Sequence, residues 1–307
     1  MVRAEKAEAD RQLPVGEEIF LDHVGHFVAD REAASHALVR CGFAPTPVSI
    51  QVNPDGTPTG TGNVCAMFAC GYIEVLFKTA ATPLAAELDI SMARYPGLHL
   101  AAFGVADAAD AHARLGAAGF ALRPLVHFRR PVDTETGPAT ATFTVARVER
   151  GAMAEGRIQI LTHHTEDAVW QKRWLSHPNG ACGLASVVIA VADVDEAVAR
   201  FARFTGRRAS PTRSGQVVVL DRGRVGLVSC AGFEAALPEI AVVGLPFIGA
   251  CGIVVASLDA TQVFLSRAGL RTRRAGDCLV VPFPEELGQG AWLFVEKNKF
   301  TVFDSRY

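Results

Sequence analysis

Nine histidines lie in this chain of 307 residues, and all of them fall at or before His177. Imidazole exchanges protons near neutral pH and is the commonest metal ligand among side chains. Chemistry of either kind is therefore expected in the first half of the sequence. The cysteines carry a weaker signal. Cys41, Cys65, Cys70, Cys182, Cys230, Cys251 and Cys278 form an odd, scattered set with no C-x-x-C pair for zinc or redox exchange. They read as small buried hydrophobes of a reduced, cytoplasmic chain. No Gly-x-Ser-x-Gly elbow supplies a hydrolase nucleophile. Nor does a glycine-rich phosphate loop follow a strand, because Gly60-Thr61-Gly62-Asn63-Val64 sits between strands. There Thr61-Gly62-Asn63 is read as a turn that brings Asn63 toward a pocket.

The elements that must position these residues repeat four times. Each copy has an apolar strand, an Asp, an Ala-rich helix of about three turns and a closing Gly: FLDHVGHFVADREAASHALVRCGF, LHLAAFGVADAADAHARLGAAGF, LASVVIAVADVDEAVARFARFTG and GIVVASLDATQVFLSRAGL. Asp30, Asp107, Asp193 and Asp259 stand where helix N-caps are wanted, and the closing glycines suit left-handed C-caps. Segments rich in Val, Ile and Phe follow each helix, so every copy reads β-α-β-β-β. One face of such a unit is bare, and four units therefore pair twice. The expected fold is α+β: two paired, cup-shaped mixed sheets over residues 18–165 and 183–307. An arm at residues 1–17 precedes them, and a packed connector at 166–182 carries Trp170 and Trp174.

Composition narrows the partners. Lys and Arg number 30 against 32 Asp and Glu, a net charge of −2 that gives no field for counterion-driven binding to nucleic acid. Half the residues are hydrophobic and a fifth are charged, which argues against disorder and coiled coil. The N-terminus alternates charges without an apolar stretch, and no run of eighteen apolar residues occurs. A small-molecule partner is expected, with no nucleic acid and no membrane. A homodimer built by pairing units between chains stays open.

The LDHVGHFVAD strand, the GTGNVCAMFACGYIEVLF segment and RIQILTHHTEDAVW resemble the vicinal-oxygen-chelate superfamily, and its glyoxalase-like-domain members in particular. The resemblance runs over nearly the whole chain. It implies cups whose metal ligands project from the first and last strands of each paired unit. Seven residues before the four aspartates stand His23, Leu100, Ser186 and Gly252, and the last strands offer Glu74, Gln159, Gly226 and the Trp292-Leu293-Phe294 run. The second cup is accordingly expected to be a degenerate site.

Strand parity speaks for part of this set without the family. Ile73, Val75 and Phe77 would face the helix and leave Tyr72 and Glu74 to the cup, and Ile158 and Ile160 do the same for Gln159. His99 lies eight residues before Asp107, one too many, so a β-bulge at Gly104 is expected to return it to the cup. His23, His99 and Glu74 would then form a two-imidazole, one-carboxylate face suited to Fe(II), and tolerable to Zn, Mn, Co or Ni, with Gln159 as a weak fourth ligand.

The resemblance implies a metal-dependent lyase, isomerase or ring-cleaving dioxygenase acting on a small oxygenated anion. Glu74 or His164 would move protons, Asn63 and Tyr72 would line the site, and Arg129 and Arg130 would clamp the anion. A metal-free binding protein and an inert interaction module stay open beside it.

Overall fold

Three of the four repeat aspartates begin helices as expected. Asp30 accepts from the amides of Glu32 and Ala33, Asp107 from those of Ala109 and Asp110, and Asp193 from that of Glu196. The fourth helix is capped by Ser257, which accepts from Ala260, whereas Asp259 sits inside the first turn and pairs with Arg274. Both positions suit an anion near a helix N-terminus, which is why the repeat misassigned the cap. The closing glycines Gly42, Gly119, Gly206 and Gly269 all have positive φ.

The computed structural model describes residues 11–53, 55–299 and 301–303; of the expected arm, residues 1–10 lie outside the described residues. The first unit is β1 (Ile19–Phe27), α1 (Arg31–Arg40), β2 (Ser49–Val52), β3 (Pro58–Met67) and β4 (Tyr72–Lys78). A linking helix, α2 (Pro83–Met92), leads to the second: β5 (Gly97–Val105), α3 (Ala108–Ala117), β6 (Val126–Thr134), β7 (Gly137–Arg147) and β8 (Arg157–His163). After a short α4 (Glu166–Val169) comes the third: β9 (Ala181–Val191), α5 (Val194–Thr205), β10 (Ala209–Thr212), β11 (Gly215–Val219) and β12 (Arg224–Ser229). Then α6 (Cys230–Ala236) precedes the fourth: β13 (Phe247–Val255), α7 (Leu258–Arg267), β14 (Arg273–Ala275), β15 (Cys278–Pro282) and β16 (Ala291–Glu296).

The first eight strands run β1-β4-β3-β2-β6-β7-β8-β5 and close through an antiparallel β1–β5 pair. The last eight run β10-β11-β12-β9-β13-β16-β15-β14, joined to the first set where Leu98 of β5 pairs with Ile248 of β13. Outward-facing Ile73, Val75, Phe77, Ile158 and Ile160 pack in one core with Leu38 of α1, Leu115 of α3, Phe201 and Phe204 of α5 and Leu265 of α7. That core is shared between the halves. Phe43 meets Trp292 at 5.1 Å, and Phe103 meets Phe204 at 5.9 Å.

Both ends of the closed barrel are plugged. Leu88 of α2, fully buried, joins Phe27, Leu76, Leu100 and Phe128 inside one end. Trp170 and Val169 of the connector pack on Tyr72, Cys65 and Met67 at the other. The segment Thr61-Gly62-Asn63 is no turn. It lies within β3, where a Cβ at Gly62 would stand 2.8 Å from the Phe77 ring and 3.0 Å from the Ser49 carbonyl oxygen, so the glycine answers to strand crowding. The second cup is filled by Phe233 and Leu237 from α6 and its flank, with Phe247, Leu293 and Phe303.

His99 takes a bulge position, but not the one expected. The register of β1 with β5 runs Gly25 to Leu100 and then His26 to Leu98, so His99 is itself the extra residue. It turns away from the barrel, donates to the Tyr95 carbonyl at 2.6 Å and stacks on that ring at 4.1 Å. Leu100 holds the inward position instead. His26 is also buried and donates to the Leu287 carbonyl at 2.9 Å. Burial pushes both imidazoles down to about 4, with the neighbouring Arg94 adding for His99 and His99 adding for His26.

These two groups set a pH window. A histidine with a depressed folded-state pKa leaves the folded chain neutral while the unfolded chain takes up a proton, so stability falls as pH drops from about 6.5 to about 4. Denaturant unfolding at pH 7 and pH 4.5 is expected to show a loss on the order of a few kcal/mol. His99→Phe should remove part of that slope. An identical slope in both chains would mean that His99 titrates normally when folded.

Candidate active site of the N-terminal barrel

A second bulge builds the site. On β1 the register jumps from Leu21 opposite Phe103 to His23 opposite Ala102, so Asp22 is an extra residue. The carboxylate and the following imidazole both reach the interior. A Cβ at Gly104 would stand 3.3 Å from Asp22 Oδ2, so the glycine credited with a bulge leaves room for one on the facing strand. Asp22 receives His23 Nδ1 at 2.6 Å and His163 Nε2 at 3.2 Å. Burial alone would raise its carboxyl, but the charge and hydrogen bonds of His163 and His23 hold it well below the usual carboxylate range.

From His23 the polar chain continues across β4 and β3. With Nδ1 committed to Asp22, Nε2 faces Glu74 Oε2 at 3.5 Å. Glu74 Oε1 accepts from Asn63 Nδ2 at 2.5 Å, and Asn63 Oδ1 accepts from Arg130 at 3.3 Å. Tyr72 stacks on His23 with ring centres 4.4 Å apart. Its phenol is pushed well above its ordinary range by burial, reinforced by Asp22 and Glu74. Gln159 enters from β8 and accepts from Arg147 Nε at 2.9 Å. Around these groups lies a cavity of about 50 Å³, also lined by Leu100, Phe128, Phe143, Arg157 and Leu161.

Alternation sorts the expected residues. His23, Asn63, Tyr72, Glu74, Arg130 and Gln159 meet in this cavity. Arg129, one residue from Arg130, is exposed on the outer face. His164 is exposed as well and holds Thr144 Oγ1 at 2.8 Å, so it cannot act at the cavity; His163, on the parity of Gln159, is the histidine that joins it. His99 is outside the set, buried against Tyr95. His177 holds the Ala44 amide and the Met67 carbonyl, a structural role.

Besides His163, three inward residues escaped the sequence reading. Arg147 and Arg157 share strand parity with Phe143 and Gln159, which was a usable signal. Asp22 had none, since only the bulge turns it inward. Arg147 lies over the Phe128 ring at 5.3 Å and is held by an amide rather than a carboxylate. Burial pushes its guanidinium down to about 9, with Arg157 adding to the shift.

The donor set does not match the expected metal centre. His23 Nε2 and Glu74 Oε2 could share a cation. The third position, Gln159, already accepts from Arg147, and the fourth is Leu100, which has no donor atom. Two strong donors fall short of the three protein ligands of catalytic zinc and non-haem iron sites. Among the described residues, no three His, Cys, Asp or Glu side chains converge in a metal-binding group.

The fold has solved relatives. A hypothetical protein from Staphylococcus aureus superposes with a TM-score of 0.60 at 11% identity, covering 91% of this chain and 99% of that one. A mutant 4-hydroxymandelate synthase from Streptomyces coelicolor gives 0.59 at 14%, covering 93% and 95%. A fusion of a xylose isomerase-like TIM barrel with a 4-hydroxyphenylpyruvate dioxygenase gives 0.56 at 11%, covering 95% of this chain and 51% of that one. No match is found among curated proteins. At these identities the likeness is one of fold, the paired vicinal-oxygen-chelate architecture. The sequence itself matches the glyoxalase-like domain over residues 21–205, and the chain belongs to that family.

Proposed function

We propose that the N-terminal barrel is the active site of a proton-transferring isomerase or lyase for a small oxygenated anion. The observation that carries this is the buried Asp22–His23–Glu74 line facing a cavity lined by three arginines, Arg130, Arg147 and Arg157. Asp22 holds Nδ1 and stabilises positive charge on the ring. Nε2 and Glu74 Oε2 then oppose each other lone pair to lone pair unless a proton lies between them. That proton can serve a substrate oxygen. In this reading Glu74 takes a proton from the carbon beside a carbonyl, His23 gives its Nε2 proton to the carbonyl oxygen, and an enediol results. Return of that proton from Glu74 to the former carbonyl carbon, with the other enediol hydroxyl giving its proton to His23 Nε2, completes an isomerisation with no oxidant.

Oxygen insertion is the less suitable chemistry for this cavity, because it needs a redox metal and the donor set supplies two strong ligands. Charge selects the substrate. Among the described residues the Arg130 Nε is buried without a partner, and Arg147 is held by the Gln159 amide and the Phe128 ring, so an anionic oxygen can satisfy both. A cavity of about 50 Å³ suits a small reacting group. The second cup, filled with apolar side chains, has no part in this chemistry.

Three measurements test the reading. In D2O, proton NMR of small α-hydroxy ketones and α-keto acids is expected to show loss of the proton beside the carbonyl with the wild-type chain. Glu74→Gln should slow that exchange by about 10²–10⁴-fold, the usual span of general-base catalysis. Equal rates in the two chains would discard Glu74 as the base. Elemental analysis of purified protein is expected to give well under one divalent metal per chain; an equimolar metal lost in His23→Ala would replace the proton between His23 and Glu74 with a cation.

A further inference from the structure

Outside the barrel wall lies a larger groove of about 390 Å³, between α2 and the segment joining β7 to β8. Five arginines line it (Arg94, Arg123, Arg147, Arg150, Arg157), against two glutamates, Glu87 and Glu149. Arg94 is used structurally and donates to the carbonyls of Ala154 and Pro246. The others crowd around too few anions. Glu87 of α2 alone receives Arg150 at 3.0 Å, Arg123 at 3.1 Å and Arg157 at 3.4 Å. Among the described residues, Glu149 forms its ion pair with Arg123, at 3.6 Å.

Three guanidiniums on one carboxylate leave N–H donors in excess, since each gives Glu87 one contact rather than a two-bond fork. The groove is also held in shape. Glu155, in its floor segment, is fully buried and takes both arms of Arg200 from α5 at 2.7 and 2.8 Å. Arg147 and Arg157 line this groove and the reaction cavity alike, so the two spaces share one cationic wall.

We infer that the groove binds a phosphate-like dianion, held by Arg123, Arg150 and Arg157, and that this group is part of the substrate whose reacting carbons sit in the cavity. The second half of the inference rests on the reading of the cavity given above; the first half stands on the groove alone. A tetrahedral dianion presents three outward oxygens, one for each guanidinium, and answers the local excess of positive charge. Glu87 then acts as an intramolecular stand-in that the incoming anion displaces. A carboxylate tail would leave the imbalance in place.

Isothermal titration with inorganic phosphate at low ionic strength tests this, with the full chain throughout. Saturable binding of one phosphate per chain is expected. Arg123→Ala and the exposed Arg150→Ala should each weaken it by about tenfold or more, the worth of one charge-assisted hydrogen bond. His23→Ala, which faces only the cavity, should bind phosphate as the wild type does. Acetate should bind at least about tenfold more weakly. No saturable phosphate binding, unchanged affinity in both arginine variants, or acetate bound as tightly as phosphate would each overturn the inference. Phosphate binding that behaves as stated while proton exchange is absent would retire the cavity chemistry and leave the groove standing.

Discussion

Closure of eight strands through the β1–β5 pair puts every second side chain of those strands into one interior that water barely reaches. Polar groups there must satisfy one another, since an unpaired buried donor or acceptor costs about 1–3 kcal/mol and a charge more. The interior answers this constraint with a connected chain from His163 through Asp22, His23 and Glu74 to Asn63 and Arg130. Each member restricts its neighbours. Asp22 fixes the face of His23, Asn63 fixes one oxygen of Glu74, and the remaining oxygen is aimed at Nε2. The geometry of this network therefore follows from the need to bury charge inside a closed sheet, and the bulge at Asp22 adds the carboxylate that meets both His23 and His163.

The two halves show what one scaffold permits. In the second, the corresponding strand positions carry Ser186, Gly226, Gly252 and Leu293, and α6 drives Phe233 and Leu237 into the space. Fully burying a Phe or Leu contributes about 1.5–3 kcal/mol, so this filled cup adds stability where the first cup gives it up to a cavity and buried charges. The shared core between the halves, with Phe201, Phe204 and Trp292 fully buried, carries that support to the first barrel. Among the described residues the buried Ser186 hydroxyl has no hydrogen-bond partner.

The units, their pairing and most inward residues were legible because alternation and N-caps are local rules. Val75 and Phe77 against Glu74, and Ile158 and Ile160 against Gln159, reported strand faces from types alone. Bulges were not legible, since an inserted residue shows only against its partner strand. Counting back from Asp107 pointed to both Leu100 and His99, and the register decided for Leu100. The same limit hid Asp22, while Arg129 and His164 were assigned to the cup beside neighbours of the opposite parity. The helix α2 had a signal in Thr82-Pro83, an N-cap followed by proline at the first helical position, but it lies outside the repeat.

That helix ties the two spaces together. On α2, Glu87 points to the arginine groove while the adjacent Leu88 plugs the barrel interior. Successive residues of a helix project about 100° apart, so one rigid element carries the ionic contact on one side and the apolar stopper on the other. The ionic contact is partly exposed and weak in salt, whereas the stopper is dry. The charge of the groove and the packing of the barrel end are therefore carried by the same ten residues of helix.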